Sequence, residues 1–407
     1  MPRFSVVVPT RDRPDLLNFC LQSLAAQTFG DFEVIVSDNP VESPARESFD
    51  RWASADWRYV RAKDPMPMHD NFEYGCAQAS GDYVAVVIDK TALHPSALEV
   101  AHRALVAEPS ADIVTWWNEG YDPIAEGHDL TGRFVPAAEV VPPTLYAPAA
   151  ELARRFANDA RRGADPVHYV RGKIVFGAYS SVLLDRIREC AGRVFHPLTA
   201  DYTSMVPACV LSNGGVDVGR PLLVSFNSAR SNGRLAGIDP GHARRFVEAA
   251  DAAIVDALPI RGLYASVHNL VAYDLVSAAA RCPAGSTPSL DLPNLLRRAR
   301  EDLDAVVWSD SRERDMQHAI LESEEARLGV APARAAPAMP RRRSLRRMAG
   351  AVVAQVAPLE RFRSRRAATP VTYASPVDAA READRYYAEA AATPRAATGP
   401  PSSATLL

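Results

Sequence analysis

The sequence predicts an α/β fold with a mainly parallel central sheet flanked by helices. Short runs of apolar and β-branched residues recur in the first third of the chain, beginning with FSVVV at residues 4–8. Segments of helix length separate these runs, and such alternation is typical of βαβ units with parallel strands. The apolar fraction of 47% over 407 residues is that of a globular protein with a sizeable core.

The elements follow in chain order. The first strand, at residues 4–8, has the apolar run of a strand that is buried on both faces. Apolar residues at helical spacing between Leu16 and Leu24 predict a helix that begins near Asp12 and Pro14. Further strands are predicted at residues 32–36, 83–88 and 113–117, and helices at residues 242–282 and 292–328.

Composition divides the chain into an α/β domain (1–235), a helical extension (236–330) and an Arg/Ala/Pro-rich tail (331–407) that we expect to be mostly disordered. The tail carries 13 Arg and five acidic residues, a net charge of +8, whereas the whole chain carries −3. The body is therefore acidic, which argues against a nucleic-acid partner. Residues 341–366 combine nine Arg with an apolar stripe. A helix on an anionic membrane surface and a solubilising disordered segment both remain open interpretations.

Several protein classes do not fit the sequence. It contains no apolar run of about 18 residues, and its first residues lead into a strand rather than a secretory leader. The five cysteines lie far apart and show no zinc or redox spacing. We therefore expect a cytoplasmic protein, peripheral on the inner face of the membrane if residues 341–366 bind lipid.

Polar residues follow three of the predicted strands, at Pro9 to Arg13, Asp38-Asn39 and Asp89-Lys90. Ligands bind beyond the carboxyl ends of parallel strands, so these residues should converge on one cleft. A carboxylate such as Asp38 can accept the imide N–H of uracil or thymine. Capping a helix or facing solvent is its alternative role. The planar guanidinium of Arg11 can stack on a base, or it is a surface arginine.

Four segments resemble family 2 glycosyltransferases in order and spacing, over residues 4 to about 230. Residues 4–13 resemble the family's opening strand and loop, and residues 27–39 its second strand with the acidic end. Residues 68–73 and 80–84 resemble the helix and strand that precede the DxD element. Val194-Phe195 and Ala200-Asp201-Tyr202 resemble the segment that carries the catalytic base. The resemblance implies the GT-A fold, a single nucleotide-binding α/β domain.

The resemblance also implies roles for individual residues. It places Pro9, Thr10 and Arg11 around the base and ribose, Arg13 at the diphosphate and Asn71 near the donor. An Asn at this position equally caps a helix or bridges backbone. Asp201 would be the base of an inverting transfer, with a helix N-cap as its alternative role. Asp185 and Asp217 are weaker candidates for the base.

The DxD element is the informative departure from the family pattern, because it appears here as Ile88-Asp89-Lys90. Its last position normally ligates Mn²⁺ or Mg²⁺, and an ammonium cannot be a metal ligand. Three interpretations follow. Lys90 replaces the metal at the diphosphate, a metal binds through Asp89 and other groups, or catalysis has been lost while the fold is kept.

The resemblance therefore implies transfer of a sugar from a UDP-, dTDP- or GDP-sugar. The acceptor would be the hydroxyl of a glycan, a lipid-linked glycan or a small molecule, and polysaccharide biosynthesis is the usual setting of the family. A catalytically inactive binding protein with the same fold is the alternative. No cofactor beyond the doubtful Mn²⁺ or Mg²⁺ is predicted.

Overall fold

The computed structural model describes residues 2–124, 130–136, 139–159, 166–226, 235–330 and 370–392. The predicted basic segment 341–366 lies outside these ranges.

The N-terminal part contains the strands and the first helix that the sequence predicts there, together with a helix at residues 46–52 and a strand at residues 57–60 that it does not predict. Its strands are β1 (Phe4–Thr10), β2 (Phe32–Asp38), β3 (Trp57–Val60) and β4 (Tyr83–Val86), and its helices are α1 (Pro14–Ala25), α2 (Arg46–Trp52) and α3 (Met68–Cys76). The four strands are all parallel in the order β3-β2-β1-β4. The predicted α/β class with a central sheet is therefore confirmed.

The following elements extend this sheet. They are β5 (Thr91–Leu93), α4 (Ala97–Ala107), β6 (Ile113–Pro123), β7 (Gly132–Phe134), β8 (Thr144–Tyr146), α5 (Pro148–Phe156), α6 (Pro166–Val170), a 3₁₀ turn (Ile174–Phe176), β9 (Gly177–Ser180), α7 (Ser181–Ala191), α8 (Ala200–Leu211) and β10 (Gly215–Phe226). Strand β9 lies antiparallel between β4 and β6, whereas β10 runs parallel to β6. The expectation of a mainly parallel sheet holds for β1 to β4, and the remaining part is mixed.

The core lies on both faces of the sheet, as alternate residues of β1 show. Val6 and Val8 pack into the cluster that includes α1 and α4, and Val7 packs into the cluster that includes α3, α7 and α8. All three are fully buried, and each contributes about 1.5–3 kcal/mol when removed from water. Gly75 lets α3 approach, since a Cβ there would lie 2.8 Å from Val7 Cγ1.

The extension consists of α9 (Pro240–Ala250), α10 (Ile254–Ala257), α11 (Val267–Ala279), α12 (Leu292–Ala305) and α13 (Ser311–Leu328). Both predicted helices are thus interrupted, the first around Pro259 and Gly262 and the second after Ala305. Gly262 has a φ of +77°, a left-handed conformation that a continuous helix does not contain. The extension has its own apolar core, and α11 packs against α8.

Part of the tail is folded. Residues 370–392 contain β11 (Val371–Tyr373) and α14 (Pro376–Ala392). Ala379, Ala380, Ala383 and Tyr387 are fully buried at helical spacing, and the small alanines let α14 pack closely beside β10 and α1. Composition alone does not indicate this folded segment, because its few apolar positions lie in a tail that is otherwise rich in Arg, Ala and Pro. None of the helices in the described ranges is both long and apolar enough to cross a membrane.

Candidate active site

The carboxyl ends of β1 and β2 and the turn after β4 meet at one edge of the sheet. Thr10 and Asp38, the last residues of their strands, are paired in register. The Thr10 hydroxyl donates a hydrogen bond to Asp89 Oδ2 at 2.8 Å. The three strand ends that the sequence analysis singled out therefore converge, and Pro9 is buried beside them, paired with Ser37.

Asp38 is a buried carboxylate with one satisfied oxygen. Its Oδ2 accepts hydrogen bonds from the Ala45 N–H, at 2.8 Å, and from the Tyr59 hydroxyl. Burial and the neighbouring Asp38 raise the pKa of Tyr59. Asp38 Oδ1 is also buried and has no hydrogen-bond partner in the structure. A buried carboxylate oxygen without a donor is costly, so this atom is prepared to accept an N–H or O–H from a ligand.

Asp89 is fully buried, and Arg13 is its counter-ion. Arg13 Nε lies 3.0 Å from Asp89 Oδ2, and the Arg13 side chain is 22% exposed. Burial raises the pKa of Asp89, although Arg13, Thr10 and Lys90 oppose this shift. The second oxygen, Asp89 Oδ1, has no hydrogen-bond partner.

Arg11 and Asp12 occupy the loop that follows β1. The Arg11 side chain is 48% exposed, and its Nε lies 4.0 Å from Asp12 Oδ2. Asp12 has a φ of +53°, and its Oδ1 accepts the backbone N–H groups of residues 41–43 at 2.8–2.9 Å. Burial raises the pKa of Asp12, but the three backbone donors outweigh it and the net shift is downward. Asp12 thus binds the loop that follows β2 and holds it next to the loop that carries Arg11.

Asn71 bridges the backbone of the two strand ends, one of the alternative roles given for it in the sequence analysis. Its Oδ1 accepts from the Ser37 hydroxyl at 2.8 Å, and its Nδ2 donates to the carbonyls of Ser37 and Thr10 at 3.1 and 3.4 Å. The amide is thereby used within the protein. Asn71 reaches this position because α3 packs closely on β1 and β2.

Lys90 lies in the turn after Asp89 and is partly buried. Its carbonyl accepts the Phe226 N–H at 3.0 Å, which joins the turn to the end of β10. Within the described ranges, no three His, Cys, Asp or Glu side chains cluster as metal ligands. Asp89 precedes Lys90 in the chain, and one of its oxygens is taken by Thr10 and Arg13. Divalent cations at phosphate sites are usually held by one or two carboxylates together with substrate phosphates and water. At this turn Asp89 Oδ1 is the oxygen left for such an ion, and Arg13 already pairs with the carboxylate.

Asp201 belongs to a second group of polar residues. It is the second residue of α8, and the N-cap position is Thr199. Asp201 Oδ2 lies 3.3 Å from Lys173 Nζ, and the Asp201 side chain is 26% exposed. No hydrogen bond or ion pair of the described residues joins Asp201 to Asp38 or Asp89.

Lys173 was not predicted from the sequence. It is fully buried, and its ammonium lies 3.9 Å from the centre of the Tyr169 ring and 3.7 Å from that of Tyr202. Burial lowers the pKa of Lys173, while Tyr169 and Asp201 oppose the shift. The one feature of the sequence that distinguishes Lys173 is the rarity of lysine, because the chain has only three lysines, at positions 63, 90 and 173.

Asp274 on α11 was also missed. This fully buried carboxylate accepts the backbone N–H groups of Leu198 and Thr199 at 2.6 and 3.0 Å, and also the Thr199 hydroxyl. Burial raises the pKa of Asp274 to about 7. The extension thereby anchors the turn from which α8 and Asp201 begin.

The weaker base candidates have other environments. Asp217 is buried and binds Arg171 Nε at 2.9 Å and the Trp117 indole at 3.1 Å. Asp185 pairs with Arg188 on the surface. Neither has contacts typical of a free, cleft-facing carboxylate.

Residues 5–137 match the sequence model described as Glycosyl transferase family 2. The GalNAc(5)-diNAcBac-PP-undecaprenol beta-1,3-glucosyltransferase of Campylobacter jejuni is 32% identical over 101 residues, 24% of this chain and 33% of that protein. An uncharacterized Sinorhizobium fredii protein is 34% identical over 96 residues, 22% of this chain and 10% of that protein. The match to this family model confirms the predicted resemblance over residues 5–137.

Two solved structures are similar at low sequence identity. Staphylococcus aureus TarS in complex with UDP-GlcNAc has a TM-score of 0.45 and 13% identity, over 80% of this chain and 92% of that chain. The mannosyltransferase PcManGT of Pyrobaculum calidifontis, in complex with GDP-Man and Mn²⁺, has a TM-score of 0.38 and 17% identity, over 80% and 86%.

Proposed function

We propose that this family 2 glycosyltransferase region transfers a sugar, with inversion, from a nucleotide-sugar donor to an acceptor hydroxyl. The observation that carries the proposal is the buried, unpartnered Oδ1 of Asp38, at a strand edge shared with Thr10 and Asp89. A uracil or thymine ring would donate its imide N–H to this atom. Pro9 and Thr10 would line the base and ribose, and the exposed guanidinium of Arg11 would stack on the ring.

The donor diphosphate would be neutralised by cationic side chains. Arg13 is held at Asp89 and is partly exposed, and Lys90 follows Asp89 directly. Preorganised cations stabilise the charge that develops on a leaving diphosphate. Because Lys90 occupies the last position of the DxD element and Arg13 already pairs with Asp89, we propose that these cations replace a metal in the transfer. Asp89 Oδ1 would accept a hydroxyl of the ribose or of the donor sugar.

Asp201 would be the general base of a single displacement. The acceptor oxygen forms a bond to the anomeric carbon while the bond from that carbon to the diphosphate oxygen breaks. The acceptor proton passes to Asp201, and the nucleoside diphosphate leaves with the electron pair. Attack from the face opposite the leaving group inverts the anomeric centre. A single carboxylate suffices, because no glycosyl-enzyme intermediate forms.

A glycan or lipid-linked glycan is the proposed acceptor. The Campylobacter relative is named for an undecaprenol-linked acceptor, although the match spans only a third of that protein. The net positive tail would bring the enzyme to an anionic membrane through residues 341–366, with the active site on the cytoplasmic side. Polysaccharide biosynthesis is the corresponding setting.

A non-catalytic nucleotide- or glycan-binding protein is the second candidate. It is favoured by Ile88 and Lys90 at the outer positions of the DxD element, where a family member normally has acids. Such a protein would bind the nucleotide through Asp38 without transferring a sugar.

Calorimetric titration with UDP, dTDP and GDP, with Mn²⁺ and with EDTA, tests the proposal, followed by donor hydrolysis assays. Binding and turnover in EDTA support metal-independent transfer. Binding without turnover favours the non-catalytic candidate, and no binding to any nucleotide contradicts both. Asp201→Asn should lower turnover by about 10²–10⁴-fold and keep donor affinity, whereas full activity in this variant excludes Asp201 as the base.

A further inference from the structure

We propose that Lys173 is a positioning residue that fixes the carboxylate of Asp201 toward the acceptor hydroxyl. The inference rests on the proposed function, in which Asp201 is the base. Asp201 Oδ2 faces the Lys173 ammonium at 3.3 Å, while the Asp201 side chain keeps 26% of its surface exposed. One side of the carboxylate is thus held within the protein, and the other is available to an acceptor.

The burial of Lys173 is the unusual part of this pair. Removing an ammonium from water is strongly unfavourable unless it gains compensating partners. In the described part of the chain, its single ion pair is with Asp201. The faces of Tyr169 and Tyr202, whose centroids lie 3.9 and 3.7 Å from the ammonium, supply cation–π attraction. The interior therefore holds a cation whose carboxylate partner is the proposed base.

This arrangement also makes the position of the base rigid. Lysine normally has a flexible stem, but the Lys173 side chain is fully buried and its ammonium contacts two aromatic rings. Tyr202 is the residue after Asp201, so α8 carries both the carboxylate and one of the two rings that contact the Lys173 ammonium. A base held in one orientation needs no reorganisation when the acceptor arrives.

Lys173→Met tests the proposal. Methionine has a similar length, lacks the charge and packs well against aromatic rings. We expect the kcat of sugar transfer to fall at least tenfold while the donor dissociation constant stays within twofold. Lys63→Met, at an exposed position, should change neither kcat nor the donor dissociation constant. Wild-type kcat in Lys173→Met would overturn the proposal.

A double variant separates positioning from general structural support. If Lys173 acts through Asp201, Lys173→Met should not reduce the residual activity of Asp201→Asn any further. An additional loss equal to that seen in the wild-type background would overturn the proposal, since the lysine would then act independently of the base.

A spectroscopic readout is independent of activity and of how Lys173→Met folds. Protein labelled at lysine should give three side-chain signals, because the chain has three lysines. In Asp201→Asn the Lys173 signal should shift and its pKa should fall further below the usual value, since the Asp201 charge is removed. An unchanged Lys173 titration would contradict the pairing. If the wild type transfers no sugar from any donor while this coupling is present, the proposed function fails and the pairing stands.

Discussion

Breaking the ion pair between Arg13 and Asp89 should reveal a strong energetic coupling between these residues at the carboxyl ends of β1 and β4. Two charges 3.0 Å apart attract by about 5.5 kcal/mol at an effective dielectric constant of 20 and by about 1.4 kcal/mol in bulk water. Asp89 is fully buried, but Arg13 is 22% exposed and therefore partly screened. We expect a coupling free energy of about 2–3 kcal/mol, between these limits.

The assay is urea unfolding of the wild type, Arg13→Met, Asp89→Asn and the double variant at pH 7. Asparagine keeps an oxygen for the Thr10 hydroxyl, so Asp89→Asn removes mainly the charge. Arg13→Met should be the least stable of the four, since it leaves a buried carboxylate without its cation. The destabilisation should shrink at lower pH, where protonation neutralises Asp89.

The exposed pair Arg46–Asp50 is the matched control. Its side chains are 60% and 52% exposed, and its Nε–Oδ1 distance is 2.8 Å. The corresponding double-mutant cycle, with Arg46→Met, Asp50→Asn and the double variant, should give a coupling free energy of about 0.5 kcal/mol or less. If the effects of Arg13→Met and Asp89→Asn on the free energy of unfolding add to that of the double variant within about 0.5 kcal/mol, the two residues are not coupled and the expectation is wrong.

Three further substitutions test separate parts of the structure. Tyr59→Phe removes a donor to Asp38, and it should lower the free energy of unfolding by about 1–3 kcal/mol and weaken UDP binding in calorimetry. Gly75→Ala places a Cβ 2.8 Å from Val7 Cγ1 and should cost about 1–3 kcal/mol in urea unfolding. Asp274→Asn should remove a pH dependence of stability. The pKa of Asp274 is about 7 in the folded state against 3.8 normally, so its contribution is present below about pH 4 and lost as the pH rises to 7.

Each substitution has a control. Tyr74→Phe loses only a long bond of 3.4 Å, and Gly30→Ala meets no atom within 4 Å. Both should change the unfolding free energy by about 0.5 kcal/mol or less. Asp302 also caps a helix of the extension, but it binds Ser266 and His268 rather than the turn before α8. A stability difference between wild type and Asp274→Asn that stays constant from pH 4 to 7 would contradict the raised pKa. Because Asp274 anchors the turn before Asp201, Asp274→Asn should also lower the turnover of sugar transfer more than Asp302→Asn does. Equal turnover in the two variants would contradict a specific role in anchoring α8.

The strand-end residues were predictable because their position follows from local sequence. A buried apolar run ending in Thr10 or Asp38 places these side chains at the same edge of a parallel sheet, whatever the rest of the chain does. The turn at Asp89 follows from the third run in the same way. Asp38, Thr10 and Asp89 therefore came together as expected.

The contacts that complete the site come from tertiary packing, which leaves no local signal. Tyr59 reaches Asp38 from the neighbouring strand, and Asp274 reaches the α8 turn from a helix more than 70 residues along the chain. Lys173 lies in an irregular stretch, where a lysine normally indicates solvent exposure. The antiparallel insertion of β9 was missed for a similar reason, since a four-residue strand has no distinctive period.

The central claim is that Asp38 Oδ1 accepts the imide N–H of a pyrimidine nucleotide. Calorimetric titration of the wild type with UDP and with N3-methyl-UDP tests it directly, because the methyl group removes that single donor. The account predicts binding of UDP and at least tenfold weaker binding of the methylated nucleotide. Equal affinity for the two, or no affinity for UDP, would contradict it.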